Sequence, residues 1–290
     1  MILLRSPAPG HPAARANKSG LIVPILVGPE AKIRNAAATA GLDISGFRLV
    51  DAPHSHAAAM EAVHLVRAGD AALLMKGSLH TDELMSPVVA HETGLRTERH
   101  ISHVYLMDAP DYPRPLLITD AAINIAPTLE EKRDIIQNAI DFAHVIGIKE
   151  PRVALLSAVD TVTSKMRSTT DAASLCKMAD RGQIKGGLVD GPLAFDNAIN
   201  EKAAADKGIV SKVAGRADIL LVPDLEAGNM LAKQLTFLAG AEAAGVVLGA
   251  KVPIILASRA DGPRTQFASC ALGALLGRAA RLASTPGACS

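Results

Sequence analysis

The sequence contains no Trp, two Tyr and five Phe. Surfaces that stack nucleic-acid bases are built largely from such rings, so the composition argues against a nucleic-acid partner. An excess of charge of one sign is also lacking: 30 Lys and Arg stand against 29 Asp and Glu, for a formal net charge of +1. No global field draws in nucleic acid or an anionic membrane, and any anion site must be local. Cysteine is scarce. Cys176, Cys270 and Cys289 are widely separated and form no CxxC pair, the pattern of free thiols in a reducing compartment. No apolar run approaches the roughly 18 to 20 residues that span a bilayer. Residues 1–19 lack the apolar core of a signal peptide. The expectation is a cytoplasmic protein with no membrane partner.

Several motifs are missing as well. There is no GxxxxGK[ST], no GxGxxG and no GxSxG, which removes the usual signatures of ATP hydrolysis, dinucleotide binding and the hydrolase nucleophile elbow. His54 and His56 form an HxH, and His100 and His103 an HxxH, but no third ligand stands at a familiar spacing, so no metal is expected.

What is present is the material for one large core or two smaller ones: 290 residues, 49% of them hydrophobic. From Leu21 onward, short Val/Ile/Leu runs alternate with alanine-rich stretches of helical period, the pattern of a parallel sheet covered by helices in an α/β fold. Strands are predicted over residues 22–27, 71–75, 116–119, 153–156, 187–189, 219–222 and 253–257. Helices are predicted over 56–68, 129–146, 171–180, 197–207, 230–239 and 265–282. Residues 108–115 hold the densest proline cluster, read as an excursion between domains or as a hairpin.

Polar residues follow strand after strand: Lys76, Gly77 and Ser78; Asp120; Ser157; Asp190 and Gly191; Asp224; Ser258 and Arg259. If the strands are parallel, these groups converge at the sheet edge where open α/β folds bind ligands. Each alone can equally satisfy a backbone group, Asp120 and Ser157 above all. Lys76, Gly77 and Ser78 make a compact anion cradle, because glycine lets backbone N–H groups approach an oxyanion. His80 and Thr81 continue that loop. Arg259 offers a planar fork for a phosphate, set against the alternative of a surface ion pair. Arg99 lies in a basic run that is either a solvated face or within reach of the same edge. The most informative stretch runs from Val222 to Leu235, where an apolar strand meets Pro223, Asp224, Glu226, Gly228 and Asn229 before a helix. Two readings stand side by side there: Pro223 and Gly228 shape a turn that Asp224 or Asn229 caps, or these groups hold a ligand.

Pro223-Asp-Leu-Glu-Ala-Gly-Asn229, followed by Lys233-Gln-Leu235, resembles the signature of the phosphate acetyltransferase and phosphate butyryltransferase family. Leu73-Leu-Met-Lys-Gly-Ser-Leu-His-Thr-Asp82, Gly191-Pro-Leu-Ala-Phe-Asp-Asn197 and Ser258-Arg-Ala-Asp261 resemble it too, in the family's order, across residues 20–280. The resemblance implies two α/β domains with mainly parallel sheets and a cleft between them, as in isocitrate and isopropylmalate dehydrogenases. It places residues 1–105 with 255–290 in the first domain and 106–254 in the second. It implies phosphate acyltransfer, acyl-CoA plus phosphate giving acyl phosphate plus CoA. Coenzyme A is then a substrate, no cofactor is tightly bound, and the chain forms a homodimer. Ser258 and Arg259 match the family's active-site pair, with Asp261 as the first candidate for the base. Lys76, Gly77, Ser78, His80, Thr81, Asp190, Asp224, Gly228 and Asn229 are assigned to substrate binding.

Three departures qualify the match. Acetyl-specific members place an arginine before the proline that here is Pro87, whereas this chain has Ser86, which favours a butyryl-like or broader branch. Their proposed base falls near Thr265 rather than at Asp261. Their opening strand and helix have no recognisable counterpart in residues 1–19. Two other functions compete: a catalytically weak CoA- or acyl-phosphate-binding subunit, and a metal- and NAD-dependent dehydrogenase of related fold.

Overall fold

In the computed structural model, residues 12–256 and 261–284 are described. The chain divides into two compact units, Met1–Arg99 with Ala244–Ser290, and His100–Ala243. Both are α/β, and most strand pairs are parallel.

In the first unit, α1 (Pro12–Lys18) precedes β1 (Ile25–Gly28), α2 (Glu30–Thr39), β2 (Arg48–Asp51), α3 (Ser55–Arg67), β3 (Leu74–Met75) and α4 (Thr81–Val89). Helix α1 occupies a stretch expected to carry no such element. Arg15 there lies over the Phe267 ring, 5.4 Å from its centroid. Strands β1 and β2 pair in parallel. Pro24 lacks an N–H for the ladder, which delays β1 relative to the expected start at residue 22. Helix α3 starts at His54, whose Nδ1 accepts from the Ala57 N–H at 3.2 Å, and it buries Ala58, Ala59, Ala62, Val63, Leu65 and Val66.

The second unit opens with an antiparallel hairpin, β4 (Ser102–Asp108) and β5 (Leu116–Thr119), and the proline cluster is its connection. The Tyr112 hydroxyl closes that connection by donating to the Ala217 carbonyl. There follow α5 (Leu129–Val145), β6 (Arg152–Leu156), α6 (Arg167–Asp180), β7 (Leu188–Leu193), α7 (Phe195–Ile199), α8 (Glu201–Asp206), β8 (Ile219–Leu221) and α9 (Leu225–Leu238). The strand order is β4, β5, β8, β6, β7, with the last four mutually parallel. Their apolar runs do not alternate, because helices cover both faces: all of Leu116–Thr119 and Ile219–Leu221 is buried. The single helix expected over 197–207 is two. Asn200 is extended, and its side chain accepts from the Ala203 N–H at 3.0 Å, which caps α8 and ends α7.

The chain then returns to the first unit through β9 (Glu242–Leu248), β10 (Ile254–Ile255) and α10 (Pro263–Ser284). Strand β10 pairs in parallel with β3, Ile254 opposite Leu74 and Ile255 opposite Met75, and antiparallel with β9. The junctions after Arg99 and Ala243 precede the expected ones after 105 and 254. Pairing with β5 keeps Val104 and Tyr105 in the second unit, and Val247 pairs with Ile254 of β10 in the first. Among the described residues, no helix is long and apolar enough to cross a membrane.

Candidate active site

Because β3 and β10 are adjacent and parallel, both leave the first unit's sheet at the same edge. Lys76 stays attached to that edge through its N–H, which donates to the Ile255 carbonyl at 2.8 Å. Its ammonium folds back over the following loop, donating to the carbonyls of Gly77 at 3.3 Å and Leu79 at 3.2 Å. His80 is exposed and caps α4, with its N–H donating to Glu83 at 2.7 Å; Thr81 opens that helix. Ser55 Oγ also donates to Glu83, at 2.6 Å. These bonds, that from Ser55 first and that from His80 second, hold the Glu83 carboxyl below its ordinary pKa.

Ser258 and Arg259 follow β10 in sequence and lie outside the described residues. Asp261 precedes α10, and its carbonyl accepts from Gln266 Nε2 at 3.1 Å. Helix α10 passes close over β3 and β10. A Cβ on Gly273 would meet Leu73 Cδ1 at 2.6 Å and Ile255 Cδ1 at 3.1 Å, so only glycine allows this approach without movement.

The second unit presents its own edge. Asp120 and Ser157 directly follow β5 and β6, and Asp224 lies three residues beyond β8. Asp120 is almost wholly buried and accepts four hydrogen bonds: from the N–H groups of Ala122, Ile123 and His103 at 2.9–3.0 Å, and from Asn124 Nδ2 at 2.6 Å. Ser157 Oγ meets Ser168 Oγ at 2.8 Å. Asp190 lies within β7 opposite Ala154, not beyond a strand end, because the strand continues through Leu193; its carboxylate accepts from the Gly191 N–H.

Helix α9 starts five residues before the expected position, so Glu226, Gly228 and Asn229 occupy its opening turns. Asp224 is the N-cap, accepting from the Ala227 N–H at 2.9 Å. A Cβ on Gly228 would meet Val222 Cγ2 at 2.7 Å and the Asp120 carbonyl at 2.9 Å. Asn229 Nδ2 donates to the Ala121 carbonyl at 3.2 Å. The signature thus seats α9 against the turn after β5.

Other polar groups have partners that a linear reading does not supply. His100 Nε2 and Asn124 Oδ1 are 2.7 Å apart, and Asn124 continues to Asp120. His103 is buried against Tyr105, its Nδ1 has no partner, and desolvation lowers its pKa to about 4 against an opposing pull from Asp120. Lys132 and Asp171 form a buried ion pair at 2.8 Å. The only sequence hint for such a pair is a charged residue within an amphipathic helix. The thiols of Cys176 and Cys270 are each raised to about 11, chiefly by burial, which makes them poor nucleophiles. Among the described residues, no three His, Cys, Asp or Glu side chains group as a metal site.

Polar loops and helix starts gathered at the carboxyl ends of parallel strands define an α/β enzyme scaffold for small ligands. The family model "Phosphate acetyl/butaryl transferase" matches residues 53–274, and the chain belongs to that family of acyltransferases. It is 65% identical over 275 residues to a phosphate acetyltransferase of Rhizobium meliloti, covering 94% of this chain and 87% of the relative. It is 44% identical over 261 residues to a phosphate butyryltransferase of Clostridium acetobutylicum, covering 90% and 87%. A crystal structure of a branched-chain phosphotransacylase from Enterococcus faecalis V583 superposes with a TM-score of 0.82 at 31% identity, covering 95% of this chain and 97% of that one. Family membership sets aside the dehydrogenase reading.

Proposed function

We propose that the protein transfers a short acyl group reversibly between coenzyme A and inorganic phosphate. The observation that carries this is the family match over residues 53–274, which includes the loops at both sheet edges. Acetyl is the first acyl group to test, because the 65% identical relative is named for it; the butyryl-like reading drawn from Ser86 has the 44% identical relative behind it.

The chemistry assigns the roles. A thiol with a pKa of about 8.5 is mostly protonated at neutral pH, so a base must take its proton. In this proposal Asp261 is that base. The CoA sulfur attacks the carbonyl carbon of the acyl phosphate, and the tetrahedral oxyanion accepts a hydrogen bond from Ser258. Its collapse forms the thioester and breaks the carbon–oxygen bond, and phosphate leaves with the electron pair, its charge balanced by Arg259. The reverse reaction follows the same path from thioester and phosphate. The loop of Lys76, Gly77, Ser78, His80 and Thr81 receives anionic oxygens. Asp190, Asp224 and Asn229 are the ligand-facing groups of the second unit in this proposal, and Gly228, buried, lets α9 close on the turn after β5. A ternary complex fits better than an acyl-enzyme, since no activating His and acid accompany a cysteine or serine in the sequence and burial raises the Cys176 and Cys270 thiols to about 11.

The proposal includes a cytoplasmic homodimer without a tightly bound cofactor. Helix α9 supports the dimer: Met230, Phe237 and Leu238 are 58%, 70% and 85% exposed on it, the composition of a face that a second copy covers. The test is phosphate-dependent release of CoA from acetyl-CoA and butyryl-CoA by the purified protein. Release from either supports the reading, and the ratio sets the branch. CoA binding with no release from either overturns it in favour of a binding subunit.

A further inference from the structure

Lys132 stands in the opening turn of α5, where the helix dipole disfavours a cation. It is nonetheless 4% exposed, with its ammonium 2.8 Å from Asp171 Oδ2, and Asp171 is 12% exposed. Arg167 Nε lies 3.4 Å from the same carboxylate oxygen, so one carboxylate faces two cations. Removing both members of such a pair from water costs more than a matched apolar pair would, and stability alone gives no reason to keep it.

The location supplies a reason. Lys132, Asp171 and Ser168 line a cavity of about 10 Å³ together with Leu221, Val222 and Pro223. That volume is near the minimum that admits one water. The pair therefore joins α5 and α6 beside the passage from β8 into α9, and Ser168, which lines the same cavity, meets Ser157 Oγ at the end of β6. Asp224, Gly228 and Asn229 follow immediately.

We infer that Lys132, through its pairing with Asp171, is a positioning residue that fixes the Pro223–Asp224 turn for binding of the CoA substrate; this rests on the acyltransferase reading above. The pair sets the separation of α5 and α6, that separation sets where Pro223 lies, and Pro223 sets the first turn of α9.

The test is the double variant Lys132→Met/Asp171→Leu, which removes both charges, compared with wild type for thermal midpoint and for kcat and KM in phosphate-dependent CoA release. The expected result is a midpoint equal to or above wild type with kcat/KM for acetyl-CoA lower by about 10- to 100-fold, the scale of a small misplacement, and expressed more in KM than in kcat. A folded double variant with wild-type kcat/KM overturns the inference. If the double variant does not fold, Asp171→Glu carries the test, since it keeps both charges and displaces the ammonium. A lower kcat/KM at an unchanged midpoint then supports the inference, and a wild-type value overturns it. A wild type that releases no CoA takes down the acyltransferase reading and this one together; an active wild type with an unaltered variant takes down this one alone.

Discussion

The two sheet edges use polar residues differently. In the second unit, Asp120 has four hydrogen bonds to its own turn, Asp224 caps α9, Asn229 ties down Ala121, and Lys132 is matched to Asp171. In the first unit, β3 and β10 are two residues each, and the loop from Lys76 to His80 is held by the Lys76 N–H, by its ammonium on two carbonyls and by the His80 N–H on Glu83. At one edge Asp120, Asp224 and Asn229 are each hydrogen-bonded within their own unit; the other is a short platform carrying a lysine and followed in sequence by the Ser258–Asp261 segment. The comparison teaches that polar residues at strand ends divide between building a site and working in it. On this reading, substitutions in the first unit change rate before stability, and those of the capping and turn residues Asp120, Asp224, Gly228 and Asn229 in the second change stability first, with the Lys132–Asp171 pair as the exception.

The largest effect expected is from Arg259→Ala. Loss of one donor to developing charge typically lowers the rate by about 10²- to 10³-fold, read here as phosphate-dependent CoA release at an unchanged thermal midpoint. A stability loss instead would erase the contrast between the edges. Next is pH. His103 titrates near 4 when buried, against an ordinary value of 6.5. The unfolded chain therefore binds more protons between those values, so the His103 contribution is fully present above about pH 6.5 and is lost as pH falls toward 4. At about 1.4 kcal/mol per pKa unit, this amounts to about 3 kcal/mol. Urea midpoints at pH 7 and pH 4.5 measure it, and His103→Gln flattens the dependence.

Gly228→Ala places a methyl group against the Asp120 carbonyl and Val222. Overpacking of this kind costs about 1–3 kcal/mol, again visible in the urea midpoint. The smallest effect sharpens the comparison most. Asp224→Ala loses the cap of α9, at about 1 kcal/mol, whereas Asp224→Asn keeps a capping oxygen without the charge. If Asp224→Asn raises KM at wild-type stability, the carboxylate also faces substrate; if it changes neither, Asp224 is a cap alone.

Much of this arrangement was legible in the chain. The run from Ala217 into Pro223 predicted the strand and the helix beyond it, and strand ends correctly brought Asp120 and Ser157 to one edge. Of the two caps the sequence offers for α9, Asp224 and Asn229, the structure uses Asp224, so the helix begins at Leu225 rather than Met230 and runs through Gly228. Strand β2 escaped because four partly exposed residues carry little periodicity; β4, β9 and the break at Asn200 were also not predicted. The Lys132–Asp171 pair was out of reach for a different reason. Its members are 39 positions apart on two helices, and only the packing of α5 against α6 brings them together.

The pairing of β3 with β10 has a consequence for synthesis. Leu74 and Ile254 are neighbours in the ladder, yet the whole of the second unit is made between them. As the chain leaves the ribosome, residues 100–243 are contiguous and can close on themselves, while the platform that bears Lys76 must wait until Ile254 and Ile255 have been made. A product truncated before Ile254 would hold an assembled second unit and a first unit lacking the strand against which Lys76 is fixed.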